Sequence, residues 1–293
     1  MNYQFENIVI IGHRKISKAS DIVMSLIQYM QMHKITIFLE QETSKILSRC
    51  SLPSIQKEEF KNYCDLIVVV GGDGSLLSAS RIAAQQELPI IGINLGELGF
   101  LTDITPNNIK KIDQIFLGEY HEERRFLLTS SGTNTKHNHD DQYLALNDIV
   151  ISSTTTGRMI DFAVYIDQKF LCNYRSDGLI IATPTGSTAH ALSSGGPILY
   201  PTLQNIVLVP ILSHNLSSRP IVISNNSIIT IKFNKSITDN ILTIYDGQIR
   251  HNILNNIIKI KKTKKELLLL HPKDYNYFET LRTKLNWEKF DKI

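Results

Sequence analysis

Two short runs in this chain carry residue types that can do chemistry. Gly71-Gly72-Asp73-Gly74-Ser75 follows five apolar residues, 66–70, and so reads as a strand ending in a glycine turn with one carboxylate at its tip. Glycines without a Cβ let a phosphate or ribose approach the backbone closely. A lone aspartate in such a place can meet a hydroxyl or a metal. The second run, Asp177 to Thr188, has hydroxyls at Thr183, Thr185, Ser187 and Thr188, interrupted by Pro184 and Gly186. Those hydroxyls can bond phosphate oxygens or ribose hydroxyls without adding charge. Pro184 disfavours helix just before it, Gly186 permits a sharp reversal, and residues 187–194 are predicted as a short helix whose free N–H groups face an anion. Together the runs point to phosphate chemistry on a nucleotide.

Neither run spells a familiar nucleotide loop. A Walker loop needs lysine after its last glycine, and none follows Gly74; a Rossmann fingerprint starting at Gly72 and Gly74 needs glycine at position 77, where Leu77 stands. Read alone, residues 71–75 are equally an ordinary βα turn with Ser75 capping the next helix. A Ser/Thr-rich loop is most often a solvated connection. Here it lies between the apolar residues 179–182 and Gly195-Gly196-Pro197, which argues against that reading. Asn147-Asp148 pairs an amide with a carboxylate, suited to ribose hydroxyls or an adenine edge, and read alone is a turn. No histidines fall at a metal-ligand spacing, and residues 137–141 read as a flexible polar loop.

These groups must be held by a framework, and the first half of the chain alternates as such a framework does. Residues 7–11, 35–39, 66–70 and 89–93 read as strands, with helices over 19–32 (Ile22, Leu26 and Met30 on one face) and 75–86. That pattern predicts a parallel sheet covered by helices, with ligands beyond the carboxyl ends of the strands, where Asp73 falls. After about Arg125 the segments 144–152, 160–166, 179–183, 221–223, 227–233 and 241–245 are β-branched and aromatic-rich, which predicts an all-β domain. Residues 130–142 read as a polar hairpin tip. The basic run 259–265 reads as a solvated strand end or turn rather than a polyanion site.

Composition sets further bounds. The chain has 293 residues, 42% of them hydrophobic, enough for one large or two modest domains. A net charge of +3 creates no global field for nucleic acid. No window approaches the roughly 20 apolar residues of a membrane span, and residues 1–5 lack the basic start of a signal peptide. Cys50, Cys64 and Cys172 are odd in number and widely spaced, as reduced thiols in a cytoplasm are. A cytoplasmic protein without membrane or nucleic-acid partners is expected.

The motifs carry a resemblance. Gly71-Gly72-Asp73-Gly74, the stretch Asn94 to Leu101, Leu146-Asn147-Asp148, and Arg175-Ser176-Asp177-Gly178 through Gly196-Pro197 resemble, in order and spacing, the motifs of the bacterial NAD kinase family. The similarity runs from residue 8 to His271-Pro272-Lys273-Asp274-Tyr275. The Gly-Gly-Asp-Gly motif alone is shared with diacylglycerol, sphingosine and 6-phosphofructokinase families; the Thr-Pro-Thr-Gly-Ser-Thr-Ala run with the Asn-Asp pair is far more specific. The resemblance implies an NAD kinase/diacylglycerol kinase-like fold: an α/β N-terminal domain with a parallel sheet over 1–125, completed by a return of about 271–293, and an all-β, NAD-binding C-terminal domain over 126–270.

It also implies ATP-dependent phosphorylation of NAD at the 2′-hydroxyl of the adenosine ribose, giving NADP. Asp73 would accept the hydroxyl proton, with holding a metal or orienting the ribose as the alternative role. ATP would be the phosphoryl donor, a divalent metal, Mg²⁺ by resemblance, would neutralise phosphate charge, and the chain would form a homo-oligomer. Gly71, Gly72, Gly74 and Ser75 would form the phosphate loop. NAD would contact Asp73, Gly74, Asn147, Asp148, Thr185, Thr188, Ala189, His190, Ala191, Leu192, Ser193 and Gln248, with Asp177 beside Arg175 at the nicotinamide carboxamide. Arg158 could reach a phosphate or be simply solvated. The loop around Gly92, Asn94, Gly96 and Gly99 would lie on the triphosphate side and contains nothing independently catalytic. Two positions depart from the family pattern: Asp148 stands where it has Glu, and His190 where it has Tyr. Alternatives are a lipid or sugar kinase with the same glycine motif, lacking here a legible lipid portal or acidic pair, and a non-catalytic dinucleotide sensor.

Overall fold

Runs of apolar residues with no polar face need cover on both sides, and the chain provides it in two units, Met1–Arg124 with Leu267–Ile293, and Arg125–Glu266. The computed structural model describes residues 3–12, 20–47, 50–96, 99–105, 108, 110–132, 143–155, 157–234, 240–253 and 255–287. Ala19, the side chain of Ile22, Glu97, Leu98 and residues 133–142, which include most of the expected hairpin tip and the polar 137–141 loop, lie outside the described residues.

In the first unit, strands β1 (Asn7–Gly12), β2 (Thr36–Glu40), β3 (Ser54–Ile55), β4 (Leu66–Val70) and β5 (Ile90–Ile93) form a parallel sheet in the order β5-β4-β1-β2-β3. Helices α1 (Ser20–Met32), α2 (Gln41–Ile46), α3 (Phe60–Tyr63), α4 (Asp73–Gln86) and α5 (Lys111–Phe116) accompany it. Leu26 and Met30 of α1 are fully buried among Ile8, Ile10, Val68 and Val70. All five residues of β4 are buried, as their unbroken apolar run requires. The chain leaves β1 towards β2 on one side and has β4 on the other. The crevice where ligands enter such sheets therefore opens beyond the ends of β1 and β4, at the paired residues Gly12 and Val70.

The second unit is antiparallel β throughout. Strands β6 (Tyr120–Ser131, starting in the first unit) and β7 (Leu144–Ala145) pair through Leu128 and Ala145. They are followed by β8 (Asp148–Ser153), β9 (Ile160–Ile166), β10 (Lys169–Ser176), β11 (Gly178–Ala182), the one-turn helix α6 (His190–Ser193), β12 (Asn205–Ile211), β13 (Ile221–Ser224), β14 (Ile229–Phe233), β15 (Ile241–Tyr245), β16 (Ile249–Asn252) and β17 (Ile257–Pro272). One sheet has the order β13-β12-β11-β8-β15-β16, and β10, β9, β14 and the first part of β17 pair in that order. Ile149, Ile151, Leu179 and Ile181 of the first sheet share a core with Phe162, Val164, Ile231 and Ile258. The opposite face of β8, β11 and β12 (Val150, Ile180, Ala182, Val207, Val209) is sealed by Ala191 and Leu199. Strand β11 is thus buried on both faces, at roughly 1.5–3 kcal/mol per fully buried aliphatic side chain.

Three expectations change. The single strand over 144–152 is broken at Leu146-Asn147, because these N–H groups turn to a side chain described below. The basic run 259–265 is neither a strand end nor a turn but the interior of β17: Ile258, Ile260 and Thr263 point inward while Lys259 and Lys264 face water. The expected helix over 187–194 is a 3₁₀ turn, Thr185–Thr188, followed by α6. From Leu267, β17 belongs to the first unit, where Leu269 pairs in parallel with Ile90. Helix α7 (Tyr277–Lys284) follows, its N-terminus capped by the Asn276 side chain. Among the described residues no helix is long and apolar enough to cross a membrane.

Candidate functional site

In the first unit the chemistry gathers at the head of α4. Strand β4 ends at Val70, Gly71 N–H donates to Ile93 O at 2.9 Å, and Gly72 is the helix N-cap. Asp73 is the first residue of α4, where the aligned N–H groups of the helix favour a negative charge. Ser75 is not the cap. It is buried one turn in, its N–H donating to Gly72 O.

The Asp73 carboxylate is held from outside its own helix. Phe100 N–H donates to Oδ2 at 2.8 Å, Leu101 N–H to Oδ1 at 3.1 Å, and Thr102 Oγ1 to the same Oδ1 at 3.1 Å. Thr102 Oγ1 in turn accepts from Asn94 Nδ2 at 2.8 Å, while Asn94 Oδ1 accepts from Gly96 N–H. The loop after β5 closes back on that strand through the Ile93–Ile104 bridge. Its glycines are there for space: a Cβ on Gly99 would lie 2.0 Å from Asp73 Oδ1, and one on Gly92 2.6 Å from both Leu76 and Thr102. An ionised carboxylate has about four lone-pair positions. Among the described residues these bonds use two on Oδ1 and one on Oδ2, so Oδ2 keeps one. Thr102 is the residue that sequence reasoning missed; Asn94 stood in the loop expected on the triphosphate side, but without this positioning role.

In the second unit the centre is Leu146-Asn147-Asp148. Their N–H groups donate to the carboxylate of Asp246 at 3.2, 2.7 and 3.3 Å, and Asp246 N–H donates to Asp148 O. Asp246 and Gly247 have φ of 51° and 67°, the pair of left-handed residues that a tight hairpin turn between β15 and β16 requires. Gln248 is exposed at the end of that turn. Asp148 is 3% exposed. Burial, and after it the charge of Asp246, push its carboxyl up from 3.8 to about 7. The sequence drew attention to the Asp246-Gly247-Gln248 segment for its glutamine, whereas the aspartate does the structural work.

The hydroxyl-rich run packs against the same segment. Thr183 N–H donates to Asn147 O at 2.8 Å and Thr183 Oγ1 to Leu146 O. Gly186 passes so close that a Cβ would lie 2.1 Å from Asn147 O. Ser187 Oγ donates to Pro184 O and accepts from Leu199 N–H; Thr185 Oγ1 accepts from buried Arg125 at 3.0 Å. Most of these hydroxyls therefore build the loop instead of waiting for phosphate. Thr188, half-buried, donates to Thr185 O at 3.3 Å. Ala189 and Leu192 are half-buried, His190 and Ser193 exposed, and Ala191 buried against the sheet. Arg158 and Arg175 come together on one cavity of about 500 Å³, which Asp161, Ser153 and Asn240 also line. Asp177, half-buried, is fixed through its N–H to Ile211 O.

Comparison with known proteins covers both units. Residues 8–120 match the family described as ATP-NAD kinase N-terminal domain, and residues 146–271 match the ATP-NAD kinase C-terminal domain. The NAD kinases of Teredinibacter turnerae and Coxiella burnetii are 45% and 43% identical over 289 residues, spanning 97% of this chain and 97% and 95% of theirs. An NAD kinase from Archaeoglobus fulgidus, solved in complex with ATP, superposes with a TM-score of 0.73 at 27% identity over 97% of this chain and 100% of that one. Yeast NADH kinase complexed with NADH shares the fold, with a TM-score of 0.86 at 22% identity over 98% and 89% of the two chains.

Proposed function

This chain belongs to the ATP-NAD kinase family and phosphorylates NAD to NADP, and we propose that Asp73 is the proton acceptor of that reaction. The observation that carries the proposal is the three-donor clasp on Asp73, which fixes the carboxylate and leaves Oδ2 a lone pair. The 2′-hydroxyl oxygen of the adenosine ribose forms a bond to the γ-phosphorus of ATP as the bond to the ADP oxygen breaks. ADP leaves with that electron pair, and the hydroxyl proton passes to Asp73. A carboxylate is a weak base for an alcohol. It suffices because the proton leaves late, and a base so placed contributes roughly 10²–10⁴-fold.

Most of the remaining acceleration comes from placing the reactants in line. Gly71, Gly72, Gly74 and Ser75 form the phosphate loop, where the open space beside Gly72 and Gly74 lets a phosphate approach the backbone. Asn147 and Asp148 take ribose hydroxyls or the adenine edge, Thr185, Thr188 and residues 189–193 line the nucleotide, and Gln248 approaches it from the β15–β16 turn. Arg158 and Arg175 face a phosphate, and Asp177 takes the nicotinamide carboxamide. No cluster of three or more His, Cys, Asp or Glu side chains among the described residues is arranged to hold a metal ion. A divalent cation bound to ATP would neutralise charge on the transferring phosphoryl group. The family also supports a cytoplasmic homo-oligomer, which sedimentation of the purified protein tests.

The assay is NADP formation from NAD, ATP and Mg²⁺, with an ATP-free control, by wild type and Asp73→Asn. Turnover lost with NAD binding kept is the expected result. Unchanged turnover would remove Asp73 from the role.

A further inference from the structure

The first unit contains a second polar cluster, largely buried, that the reaction as described does not use. His271, near the end of β17, is 0% exposed. Its Nδ1 lies 2.7 Å from Asp103 Oδ2 and its Nε2 3.3 Å from Glu123 Oε2. The ring of Tyr275 stacks on the imidazole at 3.8 Å between centroids and 9° between planes. Both carboxylate side chains are themselves largely buried, at 9% and 13% exposure. An imidazole with a carboxylate on each nitrogen satisfies both by donating twice, which requires the protonated ring. Removing that counter-charge would take an opposite charge away from two largely buried carboxylates.

Asp103 is bonded in sequence to Thr102, and Phe100, Leu101 and Thr102 are the residues that clasp Asp73. The next residue, Ile104, is tied down by its bridge to Ile93 on β5. The C-terminal end of the clasp is therefore held by a side-chain anchor at Asp103 and a backbone anchor at Ile104.

We infer that His271 is a positioning residue for phosphoryl transfer: by holding Asp103 it fixes the segment 100–102 that aims the Asp73 carboxylate at the attacking hydroxyl. The inference rests on Asp73 being the proton acceptor. A displacement of about 1 Å at a reacting group can cost about 10²-fold in rate, so releasing one anchor of the clasp reaches kcat without touching either substrate.

The protonation state of the ring gives the device a signature. Burial pulls the imidazole pKa down, while the hydrogen bonds to Asp103 and Glu123 and the charges of both carry it above 6.5. The groups facing the ring are Asp103 from the loop after β5, Glu123 from β6 and Tyr275 from the turn after β17. The neighbouring Lys273 and Asp274 are engaged elsewhere, with Glu119 and Lys111. A raised histidine pKa means the charged, anchoring form is present at neutral pH and is lost as pH rises through the folded-state value. The wild-type kcat falls along that alkaline limb.

The test measures kcat and KM against pH for wild type and His271→Gln, with active-site concentration fixed by NAD titration. The expected result is a kcat lowered about 10- to 100-fold, KM for NAD and ATP within about twofold of wild type, and the alkaline limb gone. A wild-type kcat would overturn the inference, and so would a lowered kcat that keeps the limb. Glu123→Gln, which leaves the Asp103 contact in place, moves the limb to lower pH if the inference holds and leaves it unmoved if it does not. This second variant decides the matter should His271→Gln fail to fold. Asp73→Asn with full turnover would sink the reading of the base itself, whereas an inactive Asp73→Asn beside a normal His271→Gln would sink the positioning role alone.

Discussion

Replacing Asp148 by Asn will stabilise the free protein at neutral pH and weaken its grip on NAD. The Asp148 carboxyl is buried beside Asp246 and releases its proton at about 7 instead of 3.8. Between those values the folded state binds more protons than the unfolded state, so stability falls as pH rises through the window. At 1.36 kcal/mol per unit, a shift of about three units costs about 4 kcal/mol above pH 7, of which less than half is already felt at pH 5. Asn carries no charge to desolvate and escapes the whole term. Any packing change it introduces is the same at both pH values, so the difference of about 2–3 kcal/mol between pH 5 and pH 8 isolates the ionisation. Urea unfolding of both proteins at the two pH values measures it. Equal stability differences at pH 5 and pH 8 would refute the reasoning. The cost has a function in the proposed reaction: the ribose hydroxyls that reach Asp148 supply the donors its ionised form lacks in the free protein. NAD affinity should therefore weaken as pH falls below about 7 in wild type, and the Asn variant should lose that dependence.

Gly99→Ala drives a methyl group to 2.0 Å from Asp73 Oδ1. It should cut kcat by about 10²-fold or more, the lower end of what a general base supplies, with KM for NAD little changed in steady-state assays. In Gly186→Ala the obstacle is backbone, Asn147 O at 2.1 Å, so thermal denaturation should show a loss at or above the ~1–3 kcal/mol usual for overpacking. Asp246→Ala strips the acceptor from three N–H groups, at ~1–3 kcal/mol for each buried group left unpaired. It should also lower the Asp148 pKa and raise KM for NAD, and a wild-type KM would contradict the role given to the turn.

Strands β4, β9 and β15 were legible residue for residue, because five or more apolar and β-branched residues in a row admit little else. Strands β6, β10, β12, β16 and β17 were not. In β17 two adjacent lysines, 261 and 262, disturb the alternation, and the run resembles a surface patch although Ile258 and Ile260 are fully buried. Asp73 was identifiable from its glycine turn taken together with the hydroxyl-rich run, since residues 71–75 alone read equally as an ordinary βα turn. Its clasp was not, since Phe100, Leu101 and Thr102 bond to it across 27 to 29 positions of sequence. The hydroxyls of 183–188 advertised ligand binding, yet Thr183 and Ser187 spend their hydrogen bonds on the backbone around them. A single sequence marks a polar residue without saying whether its partner is the protein or a ligand.

On the ribosome the second unit is completed before the first. Its residues, Arg125–Glu266, are contiguous, whereas the first unit must wait for Leu267 onward. At synthesis rates of ~5–20 residues per second, the delay between residues 124 and 271 is roughly 7–30 s. During that interval the nascent first unit has the edge of β5 bare where Leu269 will pair with Ile90, and Asp103 and Glu123 await the imidazole that will lie between them. A half-made chain thus cannot fully assemble the grip on Asp73. Vectorial synthesis keeps phosphoryl chemistry idle until the unit proposed to receive NAD has already emerged.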